Sequence, residues 1–303
     1  LASLPVALGS LAALAGPLHW APLLATHFRP HLAVVALGLL LFALLLRRRW
    51  SALALALCIA ANAWPVAVAW QARAAVQQDS GAPLVRVAAW NLYYHNEQAP
   101  GLAPALLALD ADLLVLSEVL PRHAPLMAAL AAAYPYRALP GAEGGQGEAL
   151  FSRLPLGETL RRRATESASL WIVEVALPGG PATLLIGHPL PATGGRLDGV
   201  HAAWFDAAEQ ELAALPPGAR ALVIGDLNAT PWSSRLASLL ATGDLRWTGD
   251  GQGTWPVNLP RWLSLPIDHI LIPADFAVQA WETRALPGSD HRAVIALLRR
   301  PRP

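Results

Sequence analysis

The sequence predicts an α/β sandwich that follows an N-terminal membrane-spanning segment. Two observations lead to this fold class. Residues 1–78 contain no acidic side chain and are almost entirely apolar, which is typical of a segment embedded in a membrane. The rest of the chain alternates short strand-like runs with helical patterns, and this mixed order favours packed sheets with helices outside over a barrel.

Two apolar runs in the N-terminal segment are candidates for membrane-spanning helices. Residues 32–46 form an uninterrupted run of 15 apolar residues. This run would be about 22 Å of helix, so His31 and Arg47 would have to snorkel for it to cross a bilayer core of about 30 Å. Residues 50–70 are longer, and a tryptophan at each end suits the membrane interface. Residues 1–26 contain three prolines and are either a further span or a cleaved signal peptide.

The charges of this segment predict its orientation. We expect residues 1–70 to anchor the chain in the bilayer of the inner cell membrane with two to three helices, followed by a linker over residues 71–83. Three adjacent arginines, residues 47–49, lie between the two clear runs, and the positive-inside rule places such a loop in the cytoplasm. The domain at residues 84–303 would then lie outside the cytoplasm.

Residues 84–303 contain eight predicted strands and four predicted helices. Each strand is a short apolar run bounded by Gly, Pro or polar residues; these runs are 84–92, 113–119, 149–152, 170–177, 183–187, 221–224, 267–272 and 292–298. The helices, with Gly or Pro near their ends, are 101–109, 126–133, 198–215 and 233–241. The glycine-rich residues 141–147 lack a following Lys-Ser or Lys-Thr, so they are not a Walker-type phosphate loop and we expect a mobile loop.

The charge of the C-terminal domain bears on its partners. Residues 79–303 carry 21 acidic residues and 17 arginines, a formal charge of −4, and the chain has no lysine. Tight nonspecific binding to a phosphate backbone depends on many Lys and Arg contacts, so a nucleic acid partner is possible but not favoured. The only cysteine, Cys58, lies in the second apolar run, which excludes an intrachain disulfide.

The stretch ALVIGDLNATPW, residues 221–232, ends a buried-looking strand with two polar side chains. Asp226 and Asn228 are two positions apart, and such residues share a face when the backbone is extended. Open α/β sheets tend to place their sites at the carboxyl ends of strands. Pro231 suits the first position of a following helix. The alternative is a helix cap, because Asp, Asn and Thr230 all favour the turn before a helix.

Other predicted strands also carry a polar side chain at one end. They are Asn91 and Glu118 near the ends of the first two strands, His188 after the fifth, Asp268 at the start of the seventh, and Asp290 and His291 before the last. Each alone has an ordinary explanation, such as a solvated strand edge or a turn. Six such strands together are harder to explain, because burying these groups near a core costs free energy unless they pair or bind a metal.

The order Asn, Glu, His, Gly-Asp-Leu-Asn, Asp-His and Ser-Asp-His resembles the endonuclease/exonuclease/phosphatase superfamily, which has the deoxyribonuclease-I-like fold. The resemblance covers residues 85–298, and ALFSRLPL also resembles a strand of that family. It implies a two-sheet, four-layer α/β sandwich and metal-assisted hydrolysis of a phosphoester substrate. The leading apolar segments resemble a membrane-anchored bacterial branch of the family.

The resemblance also implies which side chains bind the metal and the substrate. Mg²⁺ or Mn²⁺ would be held mainly by Glu118, with Asn91 and Asp290 helping directly or through water, since hard cations prefer oxygen ligands. Asn228 would hold the nucleophile or a phosphate oxygen. His188 would stabilise the charge of the transition state.

The proton-transfer roles that the resemblance implies are less definite. Either Asp268 or Asp290 would orient His291, and either His291 or Asp226 would activate the attacking water. His269 directly follows Asp268 in a strand and so points to the opposite face, which favours a packed or hydrogen-bonded histidine over a ligand.

Three functions stay open at this point. The chain is a phosphodiesterase or phosphatase, a nuclease acting on DNA or RNA, or a non-catalytic binding module tethered to the membrane. Every position of the family's core motif carries a competent residue type, which disfavours the binding module.

Overall fold

The fold is seen in a computed structural model that describes residues 3–76, 83–138, 147–165 and 168–299. Most of the expected loop at residues 141–147 and the second half of the predicted linker lie outside these ranges.

Four helices form the N-terminal part of the described chain. They are α1 (Leu4–Leu14), α2 (Trp20–Thr26), α3 (Arg29–Leu45) and α4 (Arg49–Gln71). By length and composition, α4 could cross a bilayer by itself, whereas α2 and α3 meet that test only together and are bent by 66° where they join. With 11 residues, α1 is shorter than the roughly 20 residues that a span needs. The described helices thus offer one or two candidate spans, against the two to three expected, and anchoring in a bilayer stays a prediction.

Two buried polar side chains inside these helices, Arg29 and Asn62, donate hydrogen bonds to another side chain or to the backbone. Arg29 is buried, and its guanidinium donates to the carbonyl oxygens of Ala13 at 2.7 Å and Ala61 at 2.9 Å. Asn62 is also buried and donates to the hydroxyl of Ser10 at 2.8 Å. Because an unpaired polar group in apolar surroundings is costly, these bonds hold α1 against α3 and α4.

The remainder of the described chain contains twelve strands and four helices. The strands are β1 (Leu84–Asn91), β2 (Leu113–Val119), β3 (Tyr136–Ala138), β4 (Gly147–Ser152), β5 (Leu156–Thr165), β6 (Ala168–Leu177), β7 (Gly180–Gly187), β8 (Ala221–Asp226), β9 (Leu245–Trp247), β10 (Asp268–Pro273), β11 (Ala277–Ala285) and β12 (Arg292–Arg299). The helices are α5 (Ala103–Leu107), α6 (Ala124–Ala131), α7 (Gly195–Ala214) and α8 (Ser234–Thr242). All eight predicted strands and all four predicted helices are present, all but β2 with shifted ends, and β3, β5, β9 and β11 are additional.

The strands form two mixed sheets that pack face to face. The first sheet has the order β11-β12-β1-β2-β4-β3 and the second has the order β5-β6-β7-β8-β10-β9. The pairs β1–β2 and β7–β8 are parallel, and the other described pairs are antiparallel. Val87 and Val115 of the first sheet share one core with Ile224 and Ile270 of the second. Helices α5 and α6 cover the outer face of the first sheet, and α7 and α8 that of the second. The predicted four-layer sandwich is therefore confirmed.

The helix after β8 begins later than Pro231 predicts. Its N-cap is Ser233, whose hydroxyl accepts the backbone N–H of Leu236 at 3.3 Å. A serine that satisfies a free backbone donor of the first turn outweighs the preference of proline for the first helical position. The cap is therefore neither Asp226 nor Asn228, and these two side chains are free for another role.

The first residues of the predicted linker pack onto the sandwich. The backbone N–H of Ala74 donates to the carbonyl of Trp247 at 2.9 Å, and Ala74 belongs to the core between the sheets. The indole of Trp247 donates to the carbonyl of Ala69, near the end of α4, at 2.6 Å. Arg73 donates to the carbonyl of Gly249 at 2.5 Å. The residues that directly follow α4 are therefore hydrogen-bonded to the sandwich.

The parallel strands β7 and β8 approach each other closely at Gly187 and Gly225. Gly225 has φ +151°, and a Cβ atom there would overlap the carbonyl oxygen of Gly187. We therefore expect Gly225→Ala to destabilise the full-length protein by at least about 2 kcal/mol, measured as a lower unfolding midpoint in urea.

Gly199→Ala is the matched control for this substitution. Gly199 is exposed in α7, and an added Cβ would meet no atom within 4 Å. Alanine there should stabilise the protein by about 0.5–1 kcal/mol, because it lowers the entropy cost of the helix. Equal urea unfolding midpoints for the two variants would show that the close approach of Gly187 and Gly225 does not exclude a side chain at residue 225.

Candidate active site

Strand alternation brings polar side chains into the gap between the sheets at one end of the sandwich. In β1, every second residue from Val85 to Ala89 lies in the inner core, and Asn91 continues that series. The same alternation leads to His188 beyond β7, Asp226 at the end of β8 and Asp268 at the start of β10. We call Asn91, Glu118, His188, Asp226, Asp268 and His291 the polar cluster.

Glu118 joins the polar cluster by a different route. Alternation along β2 would place it on the outer face with Leu114 and Leu116. The pairing of β2 with β4 shifts register between Leu116 and Val119, and Glu118 has φ +57°. A β-bulge of this kind redirects a side chain. Here it turns the Glu118 carboxylate toward Asn91, whose Nδ2 donates to Oε1 at 3.0 Å.

The side-chain amide of Asn91 joins the two sheets. Its Nδ2 donates to Glu118 in the first sheet and to Oδ2 of Asp226 in the second, the latter at 2.9 Å. Its Oδ1 accepts the backbone N–H of Tyr93 at 2.9 Å. Asn91, Glu118 and Asp226 are all buried. In this orientation the Nδ2 of Asn91 faces two carboxylates. For Asn91 to bind a metal directly, its amide would have to turn so that Oδ1 faces the carboxylates instead.

Carboxylates lie near both ring nitrogens of His291. Nδ1 is 2.9 Å from Oδ2 of Asp268, a hydrogen-bonding distance. Nε2 lies 3.7 Å from Oδ2 of Asp226 and 3.9 Å from Oδ1 of Asp290. Of the two candidates for orienting the imidazole, Asp268 is therefore the one placed to do so.

These carboxylates change the proton affinity of His291. Although burial lowers the pKa of His291, Asp268 and Asp226 raise it to about 10. Burial and then the charge of Asp268 raise the pKa of Asp226. Without a bound metal, the imidazole is thus a cation at neutral pH.

His188 lies between the carboxylates of the two sheets. Its Nε2 is 3.7 Å from Oε1 of Glu118 and 3.5 Å from Oδ2 of Asp226. The side chain is buried, so it is placed to meet a negatively charged group that enters the cluster.

Asn228 is next to Asp226 in space, but the reason expected from the sequence is wrong. β8 ends at Asp226, and Asn228 has φ +47°, so the two residues do not share the face of an extended strand. Instead, the backbone N–H of Asn228 turns back and donates to Oδ1 of Asp226 at 3.0 Å. Its side-chain Nδ2 donates to the carbonyl of Pro189 at 3.1 Å.

His269 lies outside the polar cluster, as alternation predicts. Its Nε2 is 2.7 Å from the carbonyl oxygen of Ala229, and its neighbour Leu271 belongs to the outer core under α7 and α8. Burial lowers the pKa of His269 to about 4, so the ring is neutral and packed.

The donor set suits a hard divalent cation. Ligand atoms of Asp226, Asp268 and His291 lie within 4.8 Å of one another. Hard cations prefer oxygen ligands, so the carboxylates are better ligands for such an ion than the ring nitrogen of His291. Oδ1 of Asp290 is buried and has no hydrogen-bond partner among the described residues, which leaves it free for a cation. Glu118 adds a further carboxylate.

The polar cluster opens into a cleft of about 630 Å³. Its walls include Tyr93, Tyr94 and Trp255 from loops of the sandwich. They also include Leu24 of α2 and the two residues that connect α2 to α3, His27 and Phe28. A cleft of this size suits a small molecule or the head of a larger one.

Three supporting residues were not assigned to the site from the sequence, because their contacts involve loops. The backbone N–H of Tyr94 donates to Oε2 of Glu118 at 2.6 Å. The hydroxyl of Ser289 donates to the carbonyl of Asn91 at 2.7 Å and accepts the N–H of His291 at 2.9 Å. The indole of Trp255 donates to Oδ2 of Asp290 at 2.8 Å. Only the Ser in Ser-Asp-His carried a local signal, as a turn former next to two site residues.

A family model described as Endonuclease/Exonuclease/phosphatase family matches residues 88–291, more than half of the chain. The chain belongs to this family. The matched segment contains the whole polar cluster together with Asn228 and Asp290. A comparison with curated proteins finds no match.

Several solved structures of other proteins share the fold. An endonuclease/exonuclease/phosphatase from Beutenbergia cavernae DSM 12333 is 20% identical with a TM-score of 0.57, over 72% of this chain and 72% of that chain. Sphingomyelinase C from Streptomyces griseocarneus is 19% identical with a TM-score of 0.54, over 71% and 99%. D. rerio TDP2 complexed with single strand DNA product is 16% identical with a TM-score of 0.57, over 71% and 98%. At these identities the likeness concerns the fold alone.

The raised pKa of His291 predicts how the stability of this family member depends on pH without metal. The proton that His291 holds in the folded state stabilises the protein fully below the ordinary pKa of about 6.5, and this contribution is lost as the pH rises through about 10. In chelator, the melting temperature of the full-length protein should therefore fall from pH 7 to pH 10. Asp268→Asn should flatten this fall, because it removes the nearest carboxylate.

Asp275→Asn serves as the control. Asp275 is partly exposed and paired with Arg220 at 2.7 Å, in the turn between β10 and β11. It should keep the wild-type pH slope. A wild-type slope in Asp268→Asn would contradict the assignment of Asp268 as the partner of His291.

Proposed function

We propose that this protein is a Mg²⁺-dependent phosphodiesterase or phosphatase, held in a membrane by residues 1–70, with its catalytic domain outside the cytoplasm. The family in general hydrolyses phosphoesters. The observation that carries the proposal is the polar cluster, in which buried carboxylates, imidazoles and an amide converge from both sheets on one cleft. Such a concentration of buried polar groups is costly for stability and is typical of a site that does chemistry.

Glu118 and Asp290 would hold the metal ion. Both present carboxylate oxygens at the cleft, and Oδ1 of Asp290 lacks a hydrogen-bond partner among the described residues. Mg²⁺ prefers such ligands, and Mn²⁺ can replace it. When bound, the ion would offset the negative charge of the phosphoester that otherwise repels a nucleophile.

We assign acceptance of the proton from the attacking water to Asp226. His291 is placed to keep both of its ring protons, because Asp268 bonds to Nδ1 while Asp226 and Asp290 face Nε2. It therefore acts as a donor that stabilises negative charge. Asp226 is held by donors on both oxygens, from Asn228 to Oδ1 and from Asn91 to Oδ2. These bonds fix the direction in which it can accept a proton.

His188 and Asn228 have separate roles in the proposal. His188 would stabilise charge on the phosphate in the transition state, because its Nε2 is directed at the centre of the cluster. Asn228 uses its side chain on Pro189, so we propose that it positions Asp226 through its backbone N–H and does not itself bind phosphate.

A nuclease acting on DNA or RNA is the second candidate function. It is favoured by the likeness in fold to TDP2 complexed with a single strand DNA product. The formal charge of −4 on residues 79–303, without lysine, argues against tight binding to a nucleic acid backbone. We therefore prefer a substrate with a single phosphoester.

Purified full-length protein should hydrolyse members of a panel of nucleotides, sugar phosphates, phospholipids and nucleic acids in Mg²⁺ or Mn²⁺, and lose this activity in chelator. Asp226→Asn should lower turnover by about 10²–10⁴-fold, because the proton acceptor is removed. Released phosphate or alcohol measures the rate.

Two further variants separate catalysis from folding in this test. Asp275→Asn makes the same chemical change at the surface and should keep wild-type turnover. Glu118→Gln should need more metal for half-maximal activity and recover partly in excess metal. Full activity in chelator would contradict the metal assignment. Normal turnover of a folded Asp226→Asn variant would exclude Asp226 as the proton acceptor.

The arrangement of α3 and α4 supports the proposed orientation in the membrane. The start of α3 and the end of α4 line one groove, through Pro30 and Ala33 on one side and Ala67 and Trp70 on the other. The two helices are therefore antiparallel, and residues 47–49 lie at the far end from the sandwich. An arginine turn inside the cytoplasm would leave the cleft outside it.

Reporter fusions test this orientation. A reporter that is active only in the periplasm should give signal when fused after Pro303, and a cytoplasm-only reporter should give none there. The same two reporters inserted after Arg48 should give the reverse pattern, which controls for expression. Signal from the cytoplasmic reporter alone at Pro303 would mean that the orientation is reversed.

A further inference from the structure

One wall of the catalytic cleft comes from outside the matched family segment. Leu24 lies in α2, and His27 and Phe28 connect α2 to α3; all three line the cleft together with Glu118 and Asp226. The family match begins only at residue 88. We call Leu24, His27 and Phe28 the helical wall.

The helical wall is bonded to the loop between β8 and α8. The indole of Trp232 donates to the carbonyl of His27 at 3.1 Å. The ring Nδ1 of His27 lies 3.4 Å from the hydroxyl of Thr230. Trp232 and Thr230 are buried and His27 is half-buried, so this contact is largely shielded from solvent. These hydrogen bonds fix the helical wall to the sandwich, so it is an integral part of the cleft.

The lining of the cleft is polar at the cluster and apolar beside it. Leu24 and Phe28 are joined on the apolar side by Leu190, Leu197 and Ile267. Among the described lining residues there is no Arg or Lys, although a polyanion would need such cations along its backbone. This combination fits a ligand with one phosphate and an aliphatic group, because apolar surface is removed from water only if the ligand covers it.

We propose that the cleft binds a phosphoester that carries a long aliphatic chain, a membrane lipid, with its phosphate at the polar cluster and its chain against Leu24 and Phe28. This inference rests on the hydrolase activity proposed for the same cleft. Phe28 is followed directly by α3, which with α2 makes one of the candidate spans. The exposed ring of Phe28 therefore lies where the chain of a lipid would leave the bilayer.

Chain-length selectivity is the measurement that tests this inference. Full-length protein in nanodiscs of one fixed lipid composition is assayed with methyl and decyl p-nitrophenyl phosphate, and the ratio of the two kcat/KM values is compared among variants. Partition of the decyl ester into the disc is the same for every variant and so cancels. We expect Leu24→Ser and Phe28→Ser each to lower the decyl-to-methyl ratio about tenfold.

Leu18→Ser is the matched control. Leu18 is exposed in the turn between α1 and α2 and does not line the cleft, so both rates and their ratio should stay at wild-type values. Phe28 is partly exposed, so its variant should fold even if Leu24→Ser does not. An unchanged ratio in a folded Phe28→Ser variant would overturn the helical wall as a chain-binding surface. A preference for nucleoside esters over the decyl ester would overturn it as well.

Binding separates this inference from the proposed function. If neither these esters nor any member of the substrate panel is hydrolysed, the hydrolase proposal fails, and the affinities for ethyl and decyl phosphate are compared by calorimetry in the same discs. Tighter binding of decyl phosphate that Phe28→Ser weakens, and Leu18→Ser does not, would still support the lipid-binding cleft. Equal loss in both variants, or none in either, would overturn it.

Discussion

The amide of Asn91 is the contact on which the cleft depends. It stands where the ends of two sheets bring buried carboxylates together, and such groups repel each other unless donors lie between them. Its two N–H bonds satisfy one carboxylate in each sheet, and the imidazole of His291 close by supplies further positive charge. The same bond holds the bulged turn at Glu118, whose left-handed backbone is unfavourable by itself. The side chain of Asn91 therefore both joins the two sheets and holds the carboxylates of the candidate site in place.

The sheets could be predicted from the sequence in their centres but not at their edges. The strands found from apolar runs are central ones, which neighbours or helices cover. All four additional strands, β3, β5, β9 and β11, lie at the outer positions of the two sheets. Two of them have three residues, and the other two carry polar and charged side chains, as edge strands do to avoid pairing with other chains. Such strands leave no apolar run to detect.

The site could be predicted only in part, for a similar physical reason. Alternation along apolar strands is enough to place Asn91, Asp226 and Asp268 together. It fails for Glu118, because a bulge breaks the alternation, and for Asn228, because the strand has already ended. The helical wall depends on a contact between His27 and Thr230, which are 203 positions apart, and no local pattern encodes such a contact.

Among the described residues, the sandwich is attached to its helices at two places. One is the bond from Trp247 to Ala69 at the end of α4, and the other is the bond from Trp232 to His27 before α3. A domain attached at one point can rotate freely about that point. A domain attached at two points can rotate only about the line that joins them. The depth of the cleft relative to the helices is then a property of the folded chain. With the helices in a bilayer, the hydrolase proposed above would select a scissile bond by its height above the acyl chains as well as by its chemistry.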